Sequence, residues 1–143
     1  VIPLLIESIG KSDDYTVFQA LSILTCQNFK GSSENIALRY KNWWEENHLL
    51  AQRHWFFNSL KEEGYPVDEL LEYTSGNDKD IRGVPILLKA LKDPHWYLRY
   101  NASVALENIS GITNNRSTQQ TSPEEREIQI RFWYQWWEKL QNK

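Results

Sequence analysis

Apolar residues recur at steps of three and four along most of the chain, which predicts α-helices and an all-α fold. The clearest pattern lies at residues 84–111, where two short helices flank Asp93-Pro94. A proline disfavours the α conformation in the residue before it, so this dipeptide ends the first helix. No sustained alternation of apolar and polar residues predicts a β-strand anywhere in the chain.

The same periodicity, together with glycines and prolines, places about eight helices along the chain. We expect a break at Asn47-His48, and Gly64 should end the helical segment that follows this break. The predicted helices lie near 2–10, 14–26, 34–46, 49–63, 67–73, 84–92, 95–110 and 123–141.

Two polar stretches without apolar periodicity predict loops. These are residues 74–83 and 112–122, and we expect the second to be a mobile surface loop. The last helix should begin directly after it. Ser122 can cap that helix, Pro123 suits its first turn, and Glu125 completes a capping box.

An internal repeat relates the two halves of the chain. Three pieces match in the same order: Pro3 with Pro85, Ala20-Leu21 with Ala105-Leu106, and Trp43-Trp44-Glu45 with Trp136-Trp137-Glu138. The repeated unit is therefore a pair of helices, a polar loop, and a helix that bears two adjacent tryptophans. A helix pair this short cannot bury its own apolar faces, so such units are expected to stack on one another.

The sequence of residues 87–111 resembles a HEAT-like repeat of the short bacterial kind that is also found in phycobilisome lyases. The resemblance rests on Leu-Leu-x-Ala-Leu-x-Asp-Pro followed by Leu-Arg-x-x-Ala-x-x-Ala-Leu-x-x-Ile-x-Gly. It implies a right-handed α-α superhelix, a HEAT/armadillo-like solenoid with an internal duplication. We expect one domain over 1–143, with a first unit at about 1–64, a linker at 65–83 and a second unit at 84–143.

The resemblance also implies a structural role for Asp93 and Arg99, which we expect to bond across or between repeats. The first copy departs from this pattern because its turn carries Asp13 and Asp14 but no arginine occurs in 14–26. Val1 begins inside an expected helix and the sequence has no methionine, so we expect a fragment of a longer protein.

Composition and charge narrow the classes of partner. The chain is 41% hydrophobic and 24% charged, which is ordinary for a soluble globular protein. A net charge of −3 gives no strong field toward nucleic acid or an anionic membrane. No apolar run reaches the roughly 18 residues of a membrane span. The lone Cys26 excludes an internal disulfide, which favours a reducing, cytoplasmic location.

Seven tryptophans make the chain unusually aromatic, and four of them form the adjacent pairs at 43–44 and 136–137. One hypothesis makes these pairs a stacking platform for bases, sugars or peptide. The other places one tryptophan of each pair in the core, because adjacent helix positions lie about 100° apart. We adopt the second and expect Trp43→Ala or Trp136→Ala to cost roughly 3–5 kcal/mol.

No catalytic residue, cofactor or metal ligand is predicted from the sequence. His48, His54 and His95 have no metal-binding spacing. Asn77-Asp78-Lys79-Asp80 resembles part of a calcium loop but lacks the closing glutamate. Cys26 is interpreted as a small buried thiol.

The solenoid hypothesis points to a concave wall built from the second helix of each pair. The side chains that this wall leaves available for a partner are predicted to be Phe18, Gln19, Ser22, Tyr100, Asn101, Ser103 and Glu107. The same positions also suit packing against a neighbouring repeat. We therefore predict a non-catalytic scaffold for protein–protein interaction, with a protein partner of unknown identity, no nucleic acid, and room for self-association through the solenoid ends.

Two alternatives stay open. HEAT-like repeats also occur in bilin lyases and in alkylpurine DNA glycosylases, whose concave faces use tryptophan, aspartate and arginine. The chain has these residue types, so it could be an enzyme or an enzyme subunit of either kind. It could also be an interior structural spacer of a longer solenoid.

Overall fold

The computed structural model describes residues 1–11, 13–67 and 81–142, and these residues form seven α-helices with no β-strand. This confirms the all-α prediction. The helices are α1 (Ile2–Ser8), α2 (Asp14–Thr25), α3 (Ser33–Asn47), α4 (Gln52–Glu62), α5 (Val84–Ala90), α6 (Trp96–Ser110) and α7 (Pro123–Gln141), with a short 3₁₀ helix at Ile81–Gly83. None of these helices combines the length and the apolar character that crossing a membrane requires.

The predicted breaks between helices agree with the structure. The first break follows Asn47, where α3 ends and a turn leads into α4. Gly64 follows α4 with φ +93°, a conformation that glycine adopts without strain. The expected helix at 67–73 and most of the expected loop at 74–83 lie outside the described residues. The loop prediction is wrong for its last three residues, because Ile81–Gly83 forms a 3₁₀ helix.

Helix ends are fixed by local hydrogen bonds and by left-handed residues. Ser122 caps α7 by accepting a hydrogen bond from the Glu125 N–H at 3.2 Å, as predicted. α2 ends at Cys26 with φ 57°, and α6 ends at Gly111 with φ 74°. Both are left-handed caps, although only glycine takes this conformation without steric cost.

The chain divides into two compact units, unit 1 at Val1–Ser59 and unit 2 at Leu60–Lys143. In unit 1, α1 packs against α2 and against α3. In unit 2, α5 packs against α6 and against α7. Each unit thus contains a short helix with a proline in its first turn, and this helix contacts the two longer helices that follow it.

Each unit contains buried apolar residues. In unit 1 these form a core of Ile2, Val17, Leu21, Ile36, Tyr40 and Trp55. The buried apolar residues of unit 2 within the described ranges include Leu60, Val67, Val84, Leu87, Leu88, Leu98, Ala102, Leu106 and Trp133. Both sets draw on one face of each helix, as the apolar spacing predicts.

α3 and α7 carry nearly the same burial pattern when they are aligned on their tryptophan pairs. Buried Ile36 and Tyr40 correspond to buried Gln129 and Trp133. The pairs that follow, at 43–44 and 136–137, are half-buried in both helices. The prediction placed one tryptophan of each pair in the core. Both members of each pair are instead half-buried, with Trp43 and Trp44 packed against the core of unit 1, and the buried position lies one helical turn earlier.

Candidate functional site

The residues predicted for the binding face are not all accessible. Ser22 and Ser103 are each only 2% exposed, so a partner cannot reach their side chains. The hydroxyl of Ser103 donates to the carbonyl oxygen of Arg99 at 3.0 Å, which turns it inward along its own helix. The expectation that these two serines are available was wrong. A small residue near the edge of an apolar helix face is readily covered by its larger neighbours.

The other five residues of that face are half-buried. Phe18 packs against the core of unit 1. In unit 2, Asn101 donates through its side-chain amide to the carbonyl oxygen of Tyr97 at 2.8 Å. Tyr100 and Glu107 of α6 both contact the segment that leads from α6 to α7. A role of Phe18, Gln19, Tyr100, Asn101 and Glu107 in binding stays a prediction.

The segment between α6 and α7, expected to be a mobile surface loop, is hydrogen-bonded to α6. Arg116 donates to Glu107 Oε2 through Nε at 3.0 Å and Nη2 at 2.8 Å, and to the Tyr100 hydroxyl through Nη1 at 3.0 Å. The N–H of Asn114 donates to Glu107 Oε1 at 3.3 Å. Ser117 is only 3% exposed, so the loop also enters the interior. Sequence polarity alone missed this because the partners of the loop lie on α6.

The guanidinium of Arg116 lies in a strongly negative setting. Its pKa is raised above the usual arginine value, first by hydrogen bonds to Glu107 and then by those to Tyr100. The guanidinium carbon also lies 5.5 Å from the centre of the Tyr100 ring, within cation–π range. Glu107 and Tyr100 therefore recognise this cation through charge, hydrogen bonds and an aromatic face.

A second polar cluster lies in the turn between α5 and α6, around Asp93. Asp93 is only 6% exposed, and Oδ2 of its carboxylate accepts a hydrogen bond from the Tyr65 hydroxyl at 2.7 Å. Its Oδ1 accepts from the N–H of His95 at 2.8 Å and contacts His95 Nδ1 at the same distance. Glu63 Oε2 lies 3.8 Å from that ring nitrogen. Burial first, then the hydrogen bond and negative charge of Asp93, raise the pKa of Tyr65.

Arg99 supports the same turn but does not bond the Asp93 carboxylate. Its Nη1 donates to the main-chain oxygens of Asp93 at 2.8 Å and Pro94 at 3.0 Å, and its Nε donates to Ser117 Oγ at 3.1 Å. The resemblance implied a pair between Asp93 and Arg99, and the structure shows a side-chain-to-backbone link instead. Burial lowers the pKa of Arg99, the charge of Arg126 lowers it further, and Asp93 opposes both.

The arrangement around Asp93 could orient an imidazole for proton transfer, since His95 is 37% exposed and lies against a buried carboxylate. Both oxygens of this carboxylate nevertheless already have partners, Oδ2 in the Tyr65 hydroxyl and Oδ1 in His95 itself. Within the described ranges, no group of three histidine, cysteine, aspartate or glutamate side chains is placed to hold a metal ion. Cys26 is buried as predicted, and this burial raises the pKa of its thiol.

Tryptophans contact one another in both units, edge to face except for Trp136 and Trp137, whose rings are tilted by 42°. In unit 1, the Trp55 ring lies 5.0 Å from Trp43 and 6.0 Å from Trp44, measured between ring centres. In unit 2, Trp136 lies 5.7 Å from Trp133 and 6.1 Å from Trp137. Trp55 and Trp133 are the core tryptophans that sequence reasoning missed. The position of Trp133, three and four residues before the pair at 136–137, places it on the same helix face and could have identified it. No comparable spacing identifies Trp55.

Comparison with protein-family models, with curated proteins and with solved structures finds no match to this chain.

Proposed function

We propose that this chain is a non-catalytic, HEAT-like helical scaffold that binds another protein. The observation that carries the proposal is the apolar stripe of α7, which becomes exposed along the helix. Trp133 is fully buried, Trp136 and Trp137 are half-buried, and Leu140 is 39% exposed. These positions are spaced at i, i+3, i+4 and i+7, so they share one face.

Unit 1 indicates what such a tryptophan pair contacts. There the equivalent pair at 43–44 meets the edge of Trp55, which α4 supplies. The indole N–H of Trp55 donates to the carbonyl oxygen of Asn47 at 2.9 Å, at the end of α3. We infer that the partner presents an aromatic side chain from a helix to Trp136, Trp137 and Leu140. Aromatic residues that are partly buried and surrounded by polar groups are typical of protein interfaces.

The repeat architecture supports a scaffold role. Each unit has the same three-helix contacts, the same proline-started first helix and the same left-handed cap on the second helix. We attribute this correspondence to an internal duplication of a HEAT-like repeat, and we propose that the units belong to a superhelical solenoid. Such folds present long surfaces to other proteins.

The glycosylase-like alternative draws on tryptophan, aspartate and arginine as residue types. Asp93 and Arg99, a buried aspartate and a buried arginine of unit 2, both hold the α5–α6 turn. A glycosylase-like activity would require a cationic groove for phosphates, whereas the chain has a net charge of −3. We expect no binding when duplex DNA is titrated into the protein at low salt. A saturable change in fluorescence anisotropy of labelled DNA would favour the glycosylase-like alternative.

Site-specific photo-crosslinking tests the proposed interface. Leu140 is replaced by p-benzoylphenylalanine, and exposed Glu127 receives the same replacement as a control about 120° around the helix from Trp133. In cells that naturally produce the protein, we expect crosslinks to a distinct protein from position 140 and none from position 127. Trp137→Ala should abolish them.

Equal crosslinking from both positions, or none, would contradict the α7 interface. Crosslinks from position 140 only to a second copy of the chain would favour the structural-spacer alternative. Circular dichroism of the Trp137→Ala variant should match that of the wild type, which separates loss of binding from loss of fold.

A further inference from the structure

We infer that Tyr100 and Glu107 form a guanidinium-binding site, which Arg116 occupies within the chain and which an arginine of a partner can occupy instead. The receptor groups both lie on α6, seven positions apart, and therefore on one face two turns apart. The cation comes from the segment between α6 and α7. Use of the site by a partner rests on the proposed function, but the site itself does not.

The contacts match the shape of a guanidinium. Two of its nitrogens donate to one carboxylate oxygen of Glu107, at 3.0 and 2.8 Å. The third donates to the hydroxyl of Tyr100 at 3.0 Å. A lysine ammonium is a single point of charge, so it cannot make this forked contact. The geometry therefore selects arginine over lysine.

The two sides of the contact differ in burial, as those of a receptor and its ligand do. The side chain of Glu107 is 9% exposed, whereas that of Arg116 is 42% exposed. The other oxygen of Glu107 is held by the N–H of Asn114 at 3.3 Å, which keeps the carboxylate oriented when the arginine leaves. The acceptors are thus fixed on a helix, and the cation reaches them from the surface.

Exchange requires only a side-chain movement. The loop keeps its own attachments, because Ser117 is buried and accepts from Arg99, and the N–H of Ile112 donates to Ser110 at 3.0 Å. Rotation of the long Arg116 side chain into water opens the site without unfolding the segment. A partner arginine would then donate to the same two acceptors, Glu107 Oε2 and the Tyr100 hydroxyl.

Chemical rescue tests the site in the full chain. Arg116→Ala empties it, and Tm is measured with increasing ethylguanidinium or, as the matched control, ethylammonium at equal ionic strength. We expect ethylguanidinium to raise the Tm of Arg116→Ala saturably, by roughly 3 °C at ten times its Kd. Ethylammonium should not, and neither additive should raise the Tm of the wild type selectively.

Further variants locate the effect. Adding Glu107→Gln to Arg116→Ala should remove the rescue, and Arg131→Ala, at an exposed position of α7, should show none. Arg116→Gln provides a second empty site in case the alanine variant unfolds. In an amide NMR titration, shifts should centre on Tyr100 and Glu107.

Equal responses to the two additives, or shifts spread over the surface, would overturn the site. This outcome is independent of crosslinking at position 140. Failure of the α7 interface therefore leaves the rescue result intact, and failure of the rescue leaves the α7 interface intact.

Discussion

Asp14 in unit 1 and Arg99 in unit 2 occupy equivalent positions of the repeat and make the same connection with opposite charge. The Asp14 carboxylate accepts from the N–H of Gly10 at 2.7 Å and from Ser33 Oγ at 2.9 Å. These groups lie in the turn before α2 and at the start of α3. The Arg99 guanidinium instead donates to carbonyl oxygens of the turn before α6 and to Ser117, in the segment before α7.

The comparison separates what the repeat keeps from what it exchanges. Each unit needs a side chain at this position that ties the turn of its first helix pair to the segment leading to the third helix. The turn of unit 1 offers an N–H, so a carboxylate serves. The turn of unit 2 offers carbonyl oxygens, so a guanidinium serves. The buried positions of α3 and α7 coincide, whereas the polar links differ between the two units.

The largest expected effect tests the apolar half of this comparison. Trp133→Ala should lower the free energy of unfolding by about 3–5 kcal/mol, because Trp133 is fully buried and the substitution leaves a cavity. Trp136→Ala should cost less, about 1–2 kcal/mol, because Trp136 is only half-buried. Urea unfolding followed by circular dichroism measures both variants.

Equal urea midpoints for Trp133→Ala and Trp136→Ala would show that the tryptophan pair contributes as much to the core as Trp133, which lies one helical turn earlier. Tyr40, the counterpart of Trp133, provides the matched test in unit 1. Its hydroxyl donates to the carbonyl oxygen of Gln27 at 2.8 Å, whereas the indole N–H of Trp133 has no hydrogen-bond partner among the described residues. Tyr40→Phe should therefore cost about 1 kcal/mol through that bond alone.

Apolar spacing was sufficient to predict the helices, because each helix buries one face. The expected break at Asn47-His48 and the start of the last helix after Ser122, which its capping residues predict, also agree with the structure. Apolar spacing failed on which tryptophan lies deepest. Adjacent tryptophans straddle the centre of a helix face, so both remain half-buried, and the residue one turn earlier occupies that centre.

The polar sites could not be predicted in the same way. Glu107 and Arg116 are nine positions apart and meet only because the chain turns back after Gly111. Ser117 lies in a stretch with almost no apolar residues, yet it is buried, and Arg99 donates to its hydroxyl. Hydrogen bonds between loops and helices depend on the path of the backbone, which composition and periodicity do not encode.

The second prediction tests the polar half of the comparison. Arg99→Met should lower the free energy of unfolding by about 2–3 kcal/mol. Arg99 is only 6% exposed, and its replacement leaves the acceptors of its guanidinium without a donor. Asp14→Ala should cost about 1 kcal/mol, since its bonds lie near the surface at a helix start. Thermal unfolding at low and high salt measures both.

An Arg99→Met variant as stable as the wild type would show that the turn of unit 2 does not depend on the guanidinium. High salt should reduce the cost of Asp14→Ala more than that of Arg99→Met, since exposed charges are screened more than buried ones. A larger salt effect on Arg99→Met than on Asp14→Ala would contradict the assignment of Arg99 as the more buried of these two residues.

The last prediction concerns Tyr65, whose hydroxyl binds Asp93 in the turn between α5 and α6. Tyr65→Phe removes the hydrogen bond to buried Asp93 and should cost about 1 kcal/mol at neutral pH.

This contribution should also depend on pH, because the pKa of Tyr65 is raised in the folded state. The stability that Tyr65 contributes is complete below the unfolded pKa, near pH 10, and is lost as pH rises above that value. The stability gap between wild type and Tyr65→Phe, measured by urea unfolding from pH 7 to 11, should therefore shrink only at the alkaline end. A gap that stayed constant over this range would mean that the hydroxyl does not sense the charge of Asp93.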